Sequence, residues 1–259
     1  MKTFANGIAM NCEVAGGGPP LILIHALGLD HRQWRRQLES FAPRFEVITY
    51  DVRGHGLSDR PAGPYKLEQM ADDLYGLLAA WGIRRAYVAG LSLGGMIAQT
   101  FALDYPEMVE SLILADTTSE YPPDARRGFD ARARTVEAQG IEPMVEGTLE
   151  RWFTPEYRQR EVATVDEVRA ILRMADPAGY AASCRAVARV DLTHRLGKLT
   201  VPTLVIVGAE DTSTPPSDAE RLRDTIPGAR LAVIPGAAHL SNVSHAAEFD
   251  ALVLDFLCS

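Results

Sequence analysis

Short apolar segments alternate with helix-like segments along most of this chain, and this alternation restricts the possible folds more than any other feature. The apolar segments are rich in branched side chains and lack the polar–apolar alternation of a half-exposed strand. Strands of this kind are typical of a parallel sheet that is covered on both faces. We therefore predict six buried strands, at Leu21–Ile24, Val47–Tyr50, Ala86–Gly90, Ser111–Ala115, Thr203–Gly208 and Arg230–Ile234.

The segments beside these strands predict a hairpin and amphipathic helices. Asn6-Gly7 is typical of a two-residue turn between antiparallel strands, here at one edge of the sheet. Apolar residues recur every three or four positions over 67–81, just before Gly82, and a similar stripe covers 249–256. Strands and helices in this order predict an α/β fold with a mostly parallel open sheet and helices on both of its faces.

One region interrupts the alternation. Residues 119–199 contain four helix-like stretches, separated by Pro and Gly, and no convincing strand. Helices inserted at the edge of a parallel sheet where ligands bind are typical of a cap. We therefore predict a core of residues 1–118 and 200–259, with a helical cap at 119–199 inserted before the last two strands. The alternative, that these helices only thicken the fold, stays open.

The composition of the 259-residue chain argues against several classes of protein. A formal net charge of −8 opposes nonspecific binding to nucleic acid. No apolar run is long enough to cross a bilayer, and the first residues lack the apolar core of a signal peptide. Three cysteines far apart, Cys12, Cys184 and Cys258, are expected to be reduced thiols. We expect a cytoplasmic protein that binds neither nucleic acid nor membranes, and the sequence leaves a homo-oligomer open.

The segment Gly90-Leu91-Ser92-Leu93-Gly94 matches G-x-S-x-G, directly after a predicted strand and before a predicted helix. This is the setting of a nucleophile elbow, a tight turn that holds a serine hydroxyl above the sheet. The two glycines remove side chains that would collide with the neighbouring strand and helix, and the helix N-terminus favours developing negative charge. The alternative is that Ser92 only caps an ordinary helix.

A serine hydroxyl needs a base, and the base needs an acid that orients it. Asp211 follows one predicted strand, and His239 lies in the loop after the next strand. Loops at the carboxyl ends of parallel strands share one edge of the sheet, so Ser92, Asp211 and His239 can converge there.

Two other carboxylates compete with Asp211 for the role of the orienting acid. Glu210 is its neighbour, and Asp116 follows the strand at Ser111–Ala115. We favour Asp211, whose structural alternative is a turn aspartate that bonds its own backbone. His25 and His55 also lie in loops after strands, and we expect them to shape those loops.

Fixed backbone N–H groups are expected to stabilise the oxyanion that forms when the serine attacks a carbonyl. One would come from Leu93, directly after Ser92, and the other from Leu27, in the loop after the strand at Leu21–Ile24. The chain contains no H-E-x-x-H, no C-x-x-C and no Walker lysine, so we predict neither a metal site nor a cofactor.

Several motifs together resemble the α/β-hydrolase superfamily over nearly the whole chain. They are HALGLDHRQW, YDVRGHGLSDRP, GLSLGGMIAQ, VPTLVIVGAEDTSTPP and IPGAAHLSN. Within the superfamily the chain looks most like the 3-oxoadipate enol-lactonase group, whose similarity rests on RWFTPEYRQR, YAASCRAVARVDL and AAHLSNV. Many proteins that resemble enol-lactonases are general esterases.

The resemblance implies the α/β-hydrolase fold, with an eight-stranded, mostly parallel sheet. It also implies Ser92 as the nucleophile, His239 as the base and Asp211 as the orienting acid, with the oxyanion site at Leu27 and Leu93. One departure is Ala26, where many members have glycine after the histidine. We expect its methyl group to narrow the pocket beside the oxyanion loop and to leave the backbone donors intact.

The combined interpretation is a serine hydrolase that cleaves small carboxylic esters or lactones through an acyl-enzyme on Ser92. The alternatives are a cofactor-free perhydrolase, a C–C bond hydrolase of the same fold, and a non-catalytic binding module. The lactone implied by the resemblance carries a carboxylate, which calls for a cation in the pocket. The predicted cap offers four candidates that the sequence does not separate, Arg134, Arg151, Arg185 and Arg189.

Four apolar residues of the predicted cap are candidates for lining the substrate pocket: Met144, Trp152, Phe153 and Met174. The same residues would also suit the core of the cap itself, and the sequence leaves both interpretations open.

Overall fold

An eight-stranded sheet forms the middle of the computed structural model, in which residues 1–258 are described. The strand order is β1-β2-β4-β3-β5-β6-β7-β8. The first pairings, β1 with β2 and β2 with β4, are antiparallel, and all later pairings are parallel. The strands are β1 (Lys2–Ala5), β2 (Ile8–Gly16), β3 (Pro20–Ile24), β4 (Glu46–Tyr50), β5 (Ala86–Leu91), β6 (Val109–Ala115), β7 (Thr203–Gly208) and β8 (Arg230–Ile234). All six strands predicted from apolar runs are present.

The antiparallel end of the sheet begins with the predicted hairpin. Ala5 pairs with Ile8, so Asn6 and Gly7 form a two-residue turn between β1 and β2. Their φ angles are +49° and +78°, as a type I′ turn requires at both central positions.

Helices cover both faces of the sheet. All six residues of β7 are buried, and because side chains alternate between the faces of a strand, both faces must be covered. Helix α2 packs with α3, and α1 packs with the last helix, α12. The helices are α1 (Arg35–Phe41), α2 (Leu67–Ala80), α3 (Leu93–Asp104), α4 (Pro123–Gln139), α5 (Glu142–Trp152), α6 (Pro155–Arg160), α7 (Val162–Arg173), α8 (Pro177–Val187), α9 (Thr193–Leu196), α10 (Pro216–Thr225), α11 (Ser241–Ser244) and α12 (Ala246–Leu257).

The segment between β6 and β7 contains six helices, α4 to α9, where the sequence predicted four. The two additional helices, α6 and α9, have 6 and 4 residues, too few for a 3.6-residue periodicity to be recognised. The segment starts and ends at one place, where Glu120 bridges Asp191 and the Leu192 N–H donates to the Ser119 carbonyl at 2.8 Å. The division into core and cap stays a prediction.

This segment is packed tightly against the rest of the molecule at the start of α8. A Cβ atom at Gly179 would overlap the backbone of Gly54, and one at Gly28 would lie 2.8 Å from the ring of Tyr180. These close contacts hold the start of α8 against the loops that contain Gly28 and Gly54. Within the described residues, no helix combines the length and the apolar character needed to cross a lipid bilayer.

Candidate active site

Ser92 lies at the junction of β5 and α3 in a conformation that few residues other than glycine adopt. Its backbone has φ +56° and ψ −114°, and strain of this kind costs about 1–3 kcal/mol and tends to occur at functional sites. Neighbouring backbone and side-chain groups hold it in place. The Ser92 N–H donates to the Ala115 carbonyl at 3.0 Å, and the Thr117 hydroxyl donates to the Ser92 carbonyl at 2.7 Å.

The glycines on either side of Ser92 are required by close backbone contacts. A Cβ at Gly90 would overlap the Gly94 carbonyl group, and a Cβ at Gly94 would overlap the carbonyl of Ile24 in β3. The turn therefore lets α3 start directly over the sheet, with the serine between them.

His239 contacts both of its predicted partners. Its Nε2 lies 2.9 Å from Ser92 Oγ, and its Nδ1 lies 2.8 Å from Asp211 Oδ2. Both His239 and Asp211 are 3% exposed, so this chain of hydrogen bonds is largely shielded from water. The arrangement can move a proton from the serine hydroxyl to the imidazole while the carboxylate holds the ring.

The carboxylate of Asp211 is oriented by the residues that follow it. Its Oδ1 accepts hydrogen bonds from the backbone N–H groups of Ser213, at 2.7 Å, and Thr214, at 3.1 Å. Its Oδ2 accepts a hydrogen bond from the Thr214 hydroxyl at 2.8 Å, on the side that faces His239. These three donors fix the plane of the carboxylate and stabilise its negative charge.

The environment of His239 favours its protonated form. Burial alone would lower the pKa of this imidazole, but the charge of Asp211 and its hydrogen bond to Nδ1 outweigh that effect and raise the pKa above the ordinary histidine value. A base with a raised pKa accepts a proton from serine more readily, at the cost of being protonated over a wider pH range.

The competing residues bond to other groups. Asp116 accepts hydrogen bonds from the Gly208 N–H and from Ser241, and Glu210 is exposed. His25 is buried in the loop after β3, where its Nδ1 lies 2.8 Å from the Ala26 carbonyl and its Nε2 accepts from the Val52 N–H at 2.9 Å. His25 thereby holds the loop that leads to Leu27.

Both predicted oxyanion donors lie beside Ser92. Leu93 is the first residue of α3, so its N–H has no acceptor within the helix. Leu27 lines the same cavity as Ser92 and His239. Ala26, by contrast, is buried and does not line this cavity. It turns inward, and its N–H donates to Gln33 Oε1 at 2.8 Å. Its methyl group therefore does not narrow the pocket as we expected.

A cavity of about 270 Å³ opens above Ser92. Its floor comes from loops at the carboxyl ends of the strands, and its roof comes from α4, α5 and α8. The lining residues are Leu27, Ser92, Tyr121, Ala125, Gly128, Phe129, Arg132, Arg151, Trp152, Val187, Thr212, Ser213 and His239.

Of the four apolar candidates for the pocket, only Trp152 lines this cavity. Phe153 is buried on another side, where its ring stacks on Tyr157 with centroids 5.2 Å apart, because α5 ends at Trp152 and the backbone of Phe153 is extended. Met144 packs against the hydrophobic core. Met174, at the end of α7, is 66% exposed and lies next to Arg32. The structure therefore does not bring Met144, Phe153 or Met174 to the pocket.

Two arginines face the cavity, and one of them was not among the four candidates. Arg151 is half-buried, and Arg132 lies over the ring of Phe129 at 5.0 Å. Neither forms an ion pair with any described residue, whereas Arg185 pairs with Glu137 at 2.7 Å. Burial and, next, the charge of Arg132 lower the pKa of Arg151. The cavity therefore holds uncompensated positive charge.

The other two arginine candidates lie away from the cavity. Arg189 lies 3.7 Å from Asp130, and Arg134 is exposed. Spacing places Arg132 on one face of α4 with Phe129 and Ala125, three and seven residues before it, but it does not show that this face is turned to the cavity.

A family model described as the alpha/beta hydrolase fold matches residues 19–246. The chain belongs to this family. Among curated proteins, this alpha/beta hydrolase is 34% identical to 3-oxoadipate enol-lactonase 2 of Acinetobacter baylyi over 95% of this chain and 92% of that protein.

Two solved structures have nearly the same backbone as this alpha/beta hydrolase. The enol-lactonase from Burkholderia xenovorans LB400 superposes with a TM-score of 0.95 at 32% identity, covering 100% of both chains. A thermophilic esterase from Thermogutta terrifontis also gives a TM-score of 0.95, at 31% identity, over 99% of this chain and 98% of that one.

One cluster outside the cavity contains residue types that bind metals, namely Asp30, His31 and Asp51. Asp51 Oδ1 lies 2.7 Å from His31 Nδ1 and also accepts from the His31 N–H, while Asp30 forms an ion pair with Arg32 at 2.7 Å. These contacts occupy the carboxylates and join the loops after β3 and β4, so the cluster has a structural explanation.

Proposed function

We propose that this protein is a cofactor-independent serine hydrolase that cleaves small carboxylic esters or lactones. The observation that carries the proposal is the continuous chain of hydrogen bonds from Ser92 Oγ through His239 to Asp211, which ends in a cavity of small-molecule size. The enol-lactonase and esterase among its relatives support the same reaction class.

In the first half-reaction, Ser92 Oγ attacks the carbonyl carbon while His239 Nε2 takes the hydroxyl proton. The Nδ1–H of His239 donates to Asp211 throughout, so the positive charge that forms on the imidazole is stabilised by the adjacent carboxylate. The backbone N–H groups of Leu27 and Leu93 receive the oxyanion, and a single donor of this kind contributes about 10²–10³-fold to kcat. His239 then protonates the leaving oxygen, and an acyl-enzyme forms on Ser92.

In the second half-reaction, water enters the position that the leaving group vacates. His239 Nε2 takes a proton from this water, which attacks the acyl carbonyl, and the acid product leaves with Ser92 restored. For a lactone, the leaving oxygen stays attached to the acyl group, so a single open-chain hydroxy acid, or the keto acid from an enol lactone, is released.

The positive charge of the cavity supports a finer assignment of the substrate. Arg132 and Arg151 face the space above Ser92 without a carboxylate partner among the described residues. An ester or lactone with a free carboxylate would supply that partner. We therefore propose such substrates over neutral esters of the same size, with the helices α4, α5 and α8 acting as the substrate-binding cap.

A matched pair of chromogenic esters tests both levels of the proposal. Mono-p-nitrophenyl succinate carries a free carboxylate and p-nitrophenyl butyrate does not, while their leaving groups are the same. We expect Ser92-dependent hydrolysis of both, with a higher kcat/KM for the succinate. A fluorophosphonate probe that fails to label Ser92 would contradict the hydrolase itself, whereas equal kcat/KM values would contradict only the preference for carboxylates.

We propose a cytoplasmic setting, and the state of the thiols supports it. Cys12, Cys184 and Cys258 are all unpaired, and the first two are buried, which supports a reducing compartment such as the cytoplasm.

A further inference from the structure

Asp116 is a fully buried carboxyl group that the proposed reaction does not use. It directly follows β6, the strand that lies between β5, which leads to Ser92, and β7, which leads to Asp211. Its backbone has φ +43°, so the chain accepts local strain to place this side chain where it is.

The side chain of Asp116 joins the two loops that carry the base and its acid. Its Oδ1 accepts from the Gly208 N–H at 2.9 Å, three residues before Asp211. Its Oδ2 contacts Ser241, two residues after His239, with the serine Oγ at 2.5 Å and its N–H at 3.3 Å.

The residues next to Asp116 hold the third loop. Ala115 accepts from the Ser92 N–H, and Thr117 donates to the Ser92 carbonyl. The end of β6 is therefore bonded to all three segments that carry the proposed catalytic residues, and Asp116 supplies the contacts to two of them.

We propose that Asp116 is a positioning residue that sets the distance between the loops of Asp211 and His239, and that its negative charge acts on the His239 imidazole. This inference rests on the proposed function, because it assigns a role within the same site.

The surroundings of Asp116 disfavour its ionised form relative to an ordinary aspartate. Burial and then the nearby charge of Asp211 raise the pKa of Asp116 to about 7, against the opposing effects of His239, Ser241 and the Gly208 N–H. The short contact to Ser241 survives in either form, since a protonated Oδ2 donates to the serine oxygen and an ionised Oδ2 accepts from the serine hydroxyl. Protonation therefore leaves the connection between the loops intact.

Ionisation of Asp116 acts on His239 through charge. The groups that face His239 are Asp211, Asp116, Arg151, the Thr214 hydroxyl and Ser92. A negative charge on Asp116 raises the pKa of His239, so more of the imidazole is protonated and less can accept the proton of Ser92. Loss of the charge on Asp116 should therefore keep more of the base available at a given pH.

Two substitutions separate the contact from the charge. In Asp116→Asn, the amide oxygen still accepts from the Gly208 N–H and the amide NH₂ donates to the Ser241 oxygen, but no charge can form. In Asp116→Ala, both connections are lost and the loops are released. Asp211→Asn serves as the comparison for loss of the orienting acid.

The experiment measures kcat and kcat/KM against pH for the wild type and the three variants, together with thermal unfolding. We expect Asp116→Asn to keep kcat within about tenfold of the wild type, since one weak hydrogen bond is lost, and to move the acid limb of the profile to lower pH. We expect Asp116→Ala to lower kcat more than Asp116→Asn does, while its KM stays similar to that of the wild type. An Asp116→Asn loss as large as that of Asp211→Asn, or an unmoved acid limb, would overturn the inference.

A measurement without turnover keeps this test separate from the proposed function. NMR titration of the His239 imidazole should give a lower pKa in Asp116→Asn than in the wild type, and an unchanged value would contradict the inference whatever the substrate is. If Ser92→Ala keeps full activity, the proposed function fails. If Ser92→Ala is inactive while the Asp116 variants behave as the wild type, only this inference fails.

Discussion

His239 Nε2 lies 2.9 Å from Ser92 Oγ although the two residues are 147 positions apart in the chain. The serine is held by the turn between β5 and α3, and the histidine lies in the loop after β8, so the contact depends on the register of the whole parallel half of the sheet. Helix α11, which follows this loop, contacts Asp116 through its first residue, Ser241, two residues beyond the histidine. The site is therefore a property of the fold, and each of its parts can be changed separately.

Replacing Ser92 by alanine should abolish hydrolysis and leave the fold intact. The loss should reach about 10⁴–10⁶-fold in kcat, because the members of such a triad act as a unit. Alanine adds no atoms to the turn, so the unfolding temperature should change little. Burst kinetics with p-nitrophenyl esters and fluorophosphonate labelling report on the reaction, and thermal unfolding reports on the fold. Ser217→Ala, at an exposed position of α10, is the matched control and should behave as the wild type.

The rate should depend on pH through His239. The imidazole must be neutral to accept the serine proton, and its pKa is raised, because Asp211 outweighs the effect of burial. Activity should therefore rise with pH through an apparent pKa above the ordinary histidine value of about 6.5. Profiles of kcat/KM between pH 5 and 9 measure this value. An acid limb centred well below 6.5 would contradict the raised pKa.

Much of the fold could be predicted because its signals are local. Apolar runs such as Leu21–Ile24 and Thr203–Gly208 are buried on both faces of the sheet, so they are recognised without an alternation of polar and apolar residues. Turn signals such as Asn6-Gly7 act within a few residues. The serine, aspartate and histidine follow from the same logic, because residues after parallel strands share one edge. Short helices such as α6 carry too little periodicity to be recognised.

The lining of the cavity could not be predicted in the same way. Trp152 and Phe153 are neighbours of similar chemistry, yet only Trp152 faces the cavity, because α5 ends at Trp152 and Phe153 continues in an extended conformation. Met174 was a reasonable apolar candidate, but it ends α7 at the surface. Which arginine faces inward likewise depends on how α4 lies against α8, which no local pattern encodes.

A methyl group at Gly94 should disrupt the turn that presents Ser92. The added Cβ of Gly94→Ala would overlap the carbonyl of Ile24, so α3 or β3 must shift, and overpacking of this kind costs about 1–3 kcal/mol or more. Chemical denaturation should show the lower free energy of unfolding, with hydrolysis lost in parallel. Gly147→Ala is the control, since its Cβ in α5 would meet only an arginine side chain at 3.7 Å. Equal stability of the two variants would contradict the proposed crowding.

Removing the positive charge of the cavity should weaken the use of carboxylate-bearing substrates selectively. A charge-assisted hydrogen bond contributes about 2 kcal/mol, which corresponds to roughly 30-fold in kcat/KM. Arg132→Gln and Arg151→Gln should each lose about this factor with mono-p-nitrophenyl succinate, mainly through KM, and little with p-nitrophenyl butyrate. The selectivity follows because the two esters differ in the carboxylate that the arginines would bind, whereas Ser92 and His239 treat their carbonyl groups alike.

Arg134→Gln is the matched control for this prediction, because Arg134 lies two residues from Arg132 on the exposed side of α4 and carries the same charge. It changes the net charge of the protein by the same amount, so any effect of long-range attraction on the succinate would appear in it as well. Equal losses in Arg132→Gln and Arg134→Gln would show that overall charge, and not contact within the cavity, attracts the substrate. A loss confined to Arg132→Gln and Arg151→Gln, and abolished when the succinate is replaced by its methyl ester, would assign the carboxylate to the space between these two guanidinium groups.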